Sequence, residues 1–176
     1  VVVCHRRFGK TVMAINHLLR AAILCDKPNP RFSYIAPTYR QAKAVAWDYL
    51  KQFAGAIPMV RFHETELRCD LPNGARIQLL GAENPDSLRG IYQDGTCLDE
   101  MADMPESLFP EIIRPALSDR KGWALFIGTP RGHNAFYELY DAAERQPDWH
   151  TALFKASETG ILDDEELEAA SAMMSP

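Results

Sequence analysis

The sequence predicts an α/β fold with a mainly parallel sheet held between helices. Three observations predict it. Short apolar runs alternate with segments of helical periodicity from the first residue onward. Several of these runs stop abruptly at glycine, proline or a polar residue, as strands do when a tight connection to a helix follows. The one plain antiparallel signal, the turn Leu71-Pro72-Asn73-Gly74, is confined to the middle of the chain.

The elements follow in order. Val1–Val3 are three β-branched apolar residues and, with Cys4, read as the end of a buried parallel strand. Val12, Ile15, Leu19, Ala22 and Ile23 fall at helical spacing and predict a helix from Thr11 to Cys25, ended by Lys27-Pro28-Asn29-Pro30. Phe32–Ala36 is a short strand closed by Pro37, and a helix from Tyr39 to Ala54 follows on Ala42, Val45, Ala46, Tyr49, Leu50 and Phe53. Glu66–Asp70 and Ala75–Leu80 flank the turn as a β-hairpin at the edge of the sheet, and Gly81–Gly90 is a polar loop. Gly95–Asp99 is the next sheet strand, although only Thr96, Cys97 and Leu98 favour it, so this assignment rests on what comes after it. Met101–Ser118 reads as loop with short helical turns, Trp123–Ile127 as a clear apolar strand, and Ala135, Phe136, Leu139, Tyr140 and Ala143 as one helix face. Trp149–Phe154 is a last strand, and Asp163-Asp164-Glu165-Glu166 opens an acidic-capped helix with Leu167, Ala170 and Met174 on one side.

Composition narrows the function classes. With 176 residues, 47% hydrophobic and 24% charged, the chain suits one domain with a sizeable core. A net charge of −5 argues against a strongly basic nucleic-acid binder, so any DNA contact is local or supplied by a ring of copies. Cys4, Cys25, Cys69 and Cys97 show no CxxC spacing and fit reduced thiols better than a disulfide set or a zinc site. No apolar run reaches the ~18 residues of a membrane span, and no signal-peptide pattern is present. A chain that starts with Val inside a strand reads as part of a longer protein, lacking whatever precedes the first loop and follows Pro176.

Four constellations carry chemistry. The first is Cys4-His5-Arg6-Arg7-Phe8-Gly9-Lys10-Thr11, in the order strand, turn, helix expected of a phosphate loop. Gly9 allows close backbone approach, amides of the turn and helix start face an anion, Lys10 reaches the β- and γ-phosphates, and Thr11 offers a hydroxyl to Mg²⁺. Cys4 stands where such loops usually carry their first glycine, and Gly-Lys-Thr also starts ordinary helices. The second is Asp99-Glu100, some ninety residues after Lys10. There an Asp can hold the Mg²⁺ hydration shell and the following Glu can polarise an attacking water; a solvated acidic pair at a strand end is the plainer alternative. The third is Gly128-Thr129-Pro130-Arg131-Gly132 after an apolar strand. It is either a simple β-turn or a γ-phosphate sensor on the rim where ligands of open parallel sheets bind. The fourth is arginine: Arg6 and Arg7 in the loop, and Arg89 in GAENPDSLRG, can neutralise transition-state charge or be solvated surface residues.

Together CHRRFGKT, YIAPTYRQAK, ENPDSLRG, CLDEMADM and IGTPRGHNAFYELY resemble the ATPase domain of a tailed-phage terminase large subunit, a DNA-packaging motor, over about residues 1–155. The resemblance implies a P-loop NTPase of the ASCE, RecA-like type that binds ATP and Mg²⁺. Lys10 and Thr11 resemble its Walker A residues, Asp99 its Walker B aspartate and Glu100 its catalytic glutamate. Arg6 matches its phosphate-sensing arginine, Arg89 falls where some members place a trans-acting arginine finger, and Gly128-Thr129-Pro130 resembles its coupling motif. Adenine-binding residues would lie before the loop, and residues 156–176 would begin a linker helix towards a nuclease domain beyond Pro176, so no nuclease activity is expected of this chain. The implied partners are double-stranded DNA, a homo-oligomeric ring (a pentamer) on the capsid portal and a small terminase subunit, in the host cytoplasm transiently docked on the procapsid. Two other readings stand beside it: a helicase-like translocase of the same P-loop class, and a non-hydrolysing nucleotide- or DNA-binding module.

Overall fold

A computed structural model describes residues 1–129 and 132–161. Along the chain they form β1 (Val2–Cys4), α1 (Lys10–Leu24), β2 (Arg31–Ala36), α2 (Tyr39–Ala42), a π-helical turn (Lys43–Trp47), α3 (Asp48–Ala54), β3 (Arg61–His63), β4 (Arg68–Asp70) and β5 (Arg76–Gly81). Then follow β6 (Gly95–Asp99), a second π-helical turn (Leu108–Ile113), α4 (Arg114–Ser118), β7 (Trp123–Gly128), α5 (Ala135–Glu144), β8 (Ala152–Phe154) and α6 (Ala156–Thr159). The strands make one sheet in the order β3-β4-β5-β2-β6-β7-β1-β8. From β5 to β8 all pairs are parallel, and β3 and β4 are antiparallel.

The sheet is buried on both faces, because successive residues of its central strands feed two separate cores. Phe32, Tyr34, Cys97 and Ile127 pack with Ala14, Ile15 and Leu18 of α1 on one side. Ile35, Leu98 and Phe126 pack with Met104, Leu108, Ile113 and Phe136 on the other. The weakly hydrophobic Gly95–Asp99 is a central strand with all five residues buried. It holds that place through fit rather than apolar area. Ser33 and Thr96 share a hydroxyl hydrogen bond of 2.7 Å across the β2–β6 pair. Gly95 leaves room for Trp123, whose ring would lie 2.3 Å from any Cβ added there.

The hairpin forms as expected, with Gly74 at φ 83° and the Asn73 side chain accepting from Ala75 N. Asn73 also donates to the Ala22 carbonyl at 2.9 Å, tying the hairpin to the last turn of α1. Three details depart from expectation. A further strand, β3, lies outside the hairpin and takes the edge. The helix after β2 carries a π-helical turn in its middle. The last strand is shorter than Trp149–Phe154, because Trp149 instead stacks on Phe126 with ring centroids 5.7 Å apart. The acidic-capped helix expected from Asp163 lies outside the described residues.

Candidate active site

Three parallel strands, β6, β7 and β1, lie side by side; the segments after β1 and β6, with the end of β2, line one cavity of about 420 Å³, and the end of β7 reaches its Lys10 and Glu100 through Thr129. The first turn leaves β1 through residues 5–9 with Arg7 at φ 64° and Gly9 at φ 88°. A Cβ at Gly9 would meet nothing within 4 Å, so glycine is needed there for its left-handed backbone and not for space. Helix α1 starts at once, with no side-chain cap and no acidic residue in its first turn. Its amino-terminal N–H groups and dipole are thus left for an anion. Arg6, Arg7, Phe8, Gly9, Lys10 and Thr11 all line the cavity.

Lys10 is the hub. Its Nζ donates to Thr129 Oγ1 at 3.1 Å and to the His5 carbonyl at 3.4 Å, and lies 3.7 Å from Glu100 Oε1. Glu100 follows β6 in the left-handed region, at φ 54° and ψ 50°. Its own N–H is fixed on the Ile127 carbonyl at 3.0 Å. Thr129 grips the carboxylate twice, donating from its backbone N–H to Oε2 at 3.2 Å and from its hydroxyl to Oε1 at 3.1 Å. The residues predicted from the first, second and third constellations therefore meet in one network; Pro130 and Arg131 lie outside the described residues.

Asp99 is 6% exposed. Its Oδ2 accepts a hydrogen bond from the Tyr34 phenol, while its Oδ1 is buried without a hydrogen-bond partner among the described residues. Burial pushes its carboxyl above the usual carboxylate range, opposed by the Tyr34 hydrogen bond and reinforced by the adjacent Glu100. Thr11 lines the same cavity. An orphaned carboxylate oxygen beside a hydroxyl and an open anion site fits Mg²⁺, which takes one or two protein oxygens and completes its shell with phosphate and water. No cluster of three or more His, Cys, Asp or Glu among the described residues competes as a metal cage.

Two predicted site residues turn away. Cys4 is fully buried, and burial pushes its thiol up to about 11, so it is a neutral core group below the cavity floor. His5 points to α6, with Nε2 2.9 Å from Thr159 Oγ1; only its carbonyl touches the site, through Lys10. Neither side chain lines the cavity. Arg89 is also away from it, 55% exposed, donating to Asp86 Oδ1 at 2.8 Å and lying 3.9 Å from Glu111. Gly128 ends β7 with the Phe136 ring 3.0 Å from where its Cβ would stand, so it serves close packing of the strand end on α5. Sequence reasoning passed over Tyr34, whose signal was a phenol in an otherwise apolar strand. It also passed over the outer wall, to which the YIAPTYRQAK segment supplies Ala36, Pro37 and Gln41 and the helix beyond it Val45 and Tyr49.

Residues 5–172 match the family model of the terminase large subunit, T4likevirus-type, N-terminal. The chain belongs to this terminase family. It is 33% identical over 136 residues to the large subunit of the terminase of Thermus virus P23-45, covering 66% of this chain and 28% of that protein. The chain thus spans between a quarter and a third of that relative's length. The large terminase ATPase domain of Thermus phage P74-26 superimposes with a TM-score of 0.74 at 28% identity, over 88% of this chain and 74% of that one. The large terminase of a thermophilic bacteriophage, in complex with ATP-gamma-S, has a TM-score of 0.76 at 21% identity, over 99% of this chain and 44% of that one. The terminase chain described here shares their RecA-like P-loop fold. Family membership sets aside the helicase-like reading. None of its described helices is long and apolar enough to cross a membrane.

Proposed function

We propose that this chain is the ATP-hydrolysing unit of a motor that drives double-stranded viral DNA into a procapsid. The observation that carries the reading is that Lys10 and Glu100 line one cavity at an uncapped helix start and are joined there by Thr129, three residues from three strand ends in one network. Lys10 and the first-turn amides bind the phosphates of ATP. Thr11 and Asp99 hold Mg²⁺, which neutralises charge on the β- and γ-phosphates when bound. Glu100 orients a water on the γ-phosphate and takes its proton, which calls for release of its carboxylate from Lys10. Arg6, exposed at the mouth of the cavity, neutralises developing charge in cis.

Arg89 does not reach this cavity within one chain, so its part in hydrolysis is as a finger presented to a neighbouring copy. That reading agrees with a homo-oligomeric ring on the portal, fed by a small subunit in the host cytoplasm. Gly128-Thr129-Pro130 links the γ-phosphate state to DNA movement, because Thr129 contacts both the lysine and the glutamate. The terminase relatives named above support packaging as the purpose of hydrolysis.

Glu100→Gln tests the reading. ATP binding, followed with a fluorescent analogue, should stay within a fewfold of wild type while turnover falls by about 10²–10⁴, the usual contribution of a positioned general base. Unchanged turnover removes Glu100 from the reaction.

A further inference from the structure

The metal-binding corner contains a residue that the reaction as described does not use. Tyr34 is fully buried in the middle of β2. On the same face of that strand stand Phe32 and Ala36, both apolar, so a plain aromatic ring satisfies this side of the core. The phenol oxygen is the surplus. Burying a hydroxyl beside a carboxylate is costly unless both are satisfied, so its placement asks for a reason. The register supplies one. Tyr34 pairs with Cys97 of β6, and Asp99 lies two residues further along the same face, roughly 6.6 Å away at strand spacing. A tyrosine leaning along its strand spans that gap, and its O–H donates to Asp99 Oδ2.

Resting on the nucleotide and Mg²⁺ reading above, we propose that Tyr34 is the positioning residue of this corner. Its phenol holds Oδ2 of Asp99 from behind, so that the orphaned Oδ1 is the oxygen left for the cation. One side chain of β2 thereby orients the carboxylate ligand at the end of β6. Outer partners of this kind usually change metal affinity 10–100-fold when removed.

The test uses Mn²⁺ as the probe, titrated by electron paramagnetic resonance into the protein with saturating ADP. Tyr34→Phe should weaken Mn²⁺ binding about 10–100-fold, with ADP affinity in EDTA within twofold of wild type. Trp47→Phe, which removes a buried indole hydrogen bond to Glu64 at 2.7 Å away from the cavity, should leave Mn²⁺ affinity unchanged. Asp99→Asn should abolish the site. Mn²⁺ affinity within twofold of wild type in Tyr34→Phe, or an equal loss in Trp47→Phe, overturns the role of Tyr34 alone. Unaltered affinity in Asp99→Asn overturns the metal assignment on which it rests. Should Tyr34→Phe not fold, 3-fluorotyrosine at position 34 of the natural sequence gives the same answer. Its ¹⁹F resonance should move in step with Mg²⁺ added to the ADP-bound protein, and a resonance that stays fixed overturns the proposal.

Discussion

Asp99 is held in a state that costs the protein stability in return for chemistry. Its carboxyl is raised by burial, so the folded protein prefers it protonated, more than the unfolded chain does. That preference stabilises the fold at low pH and is lost as pH rises through the folded-state value; at neutral pH the ionised group opposes folding. Asp99→Asn keeps an acceptor for Tyr34 and removes the charge. Without nucleotide or metal it should therefore melt at a higher temperature than wild type at pH 7, while losing hydrolysis. A lower melting temperature contradicts the account of Asp99 as a strained charge awaiting a cation. Glu100 shows the same economy in its backbone. A non-glycine residue in the left-handed region costs about 1–2 kcal/mol. Here the Ile127 carbonyl and both donors of Thr129 hold it there.

At the scale of elements, the site depends on β6 standing at the centre of the sheet. The sequence made this strand the hardest to see, since its side chains are small and polar. Its stability comes from partners that are distant in sequence: the Ser33 hydroxyl, the Trp123 ring over Gly95, and Asp94 just before it. Asp94 binds Arg120, Lys27 and the Arg31 N–H, and these bonds hold its carboxyl below the usual range against the effect of burial. Gly95→Ala should cost about 1–3 kcal/mol of stability by urea unfolding, because a rigid indole must shift for the added methyl. A neutral effect would show that the Trp123 contact is slack.

Legibility followed the range of the interactions. The apolar periodicities of α1, β2, β7 and α5, and the turn chemistry at Asn73-Gly74, are local signals and gave those elements to within a few residues. Strand β3 has one exposed and two half-buried residues and no periodicity, and only pairing with β4 makes it a strand. In the site, Gly9-Lys10-Thr11 and Thr129 were readable because each follows an apolar run, whereas Asp99-Glu100 follows a weak strand and was read from the acidic pair itself. The direction of Cys4 and His5 was not readable. It depends on the burial of one and on a partner of the other 154 residues away.

At the scale of the whole molecule, the phosphate loop is held from two directions. Phe8 stacks on Phe154 at 4.7 Å, and β8 pairs with β1, so the loop's base moves with the segment that follows β8. On another part of the surface, Arg89 waits with exposed acidic neighbours that a second copy could replace. Arg89→Ala should lower hydrolysis by about 10³–10⁵, the usual weight of an arginine finger, only where copies assemble. In dilute, unassembled protein it should match wild type, and an equal loss in both states would exclude action in trans. With a net charge of −5, the packaging function proposed requires any DNA contact to be confined to a limited face.

On the function proposed, ATP is bound and cleaved in the cavity lined by Lys10 and Glu100, which Thr129 joins. A crystal structure with Mg²⁺ and a non-hydrolysable ATP analogue tests it most directly. Phosphate oxygens should lie on the amides of the first turn of α1, with Lys10 Nζ moved from Thr129 onto the γ-phosphate, the cation between Thr11 and Asp99, and the Glu100 carboxylate facing a water. A nucleotide bound elsewhere, with the Lys10–Glu100–Thr129 network intact, would contradict it.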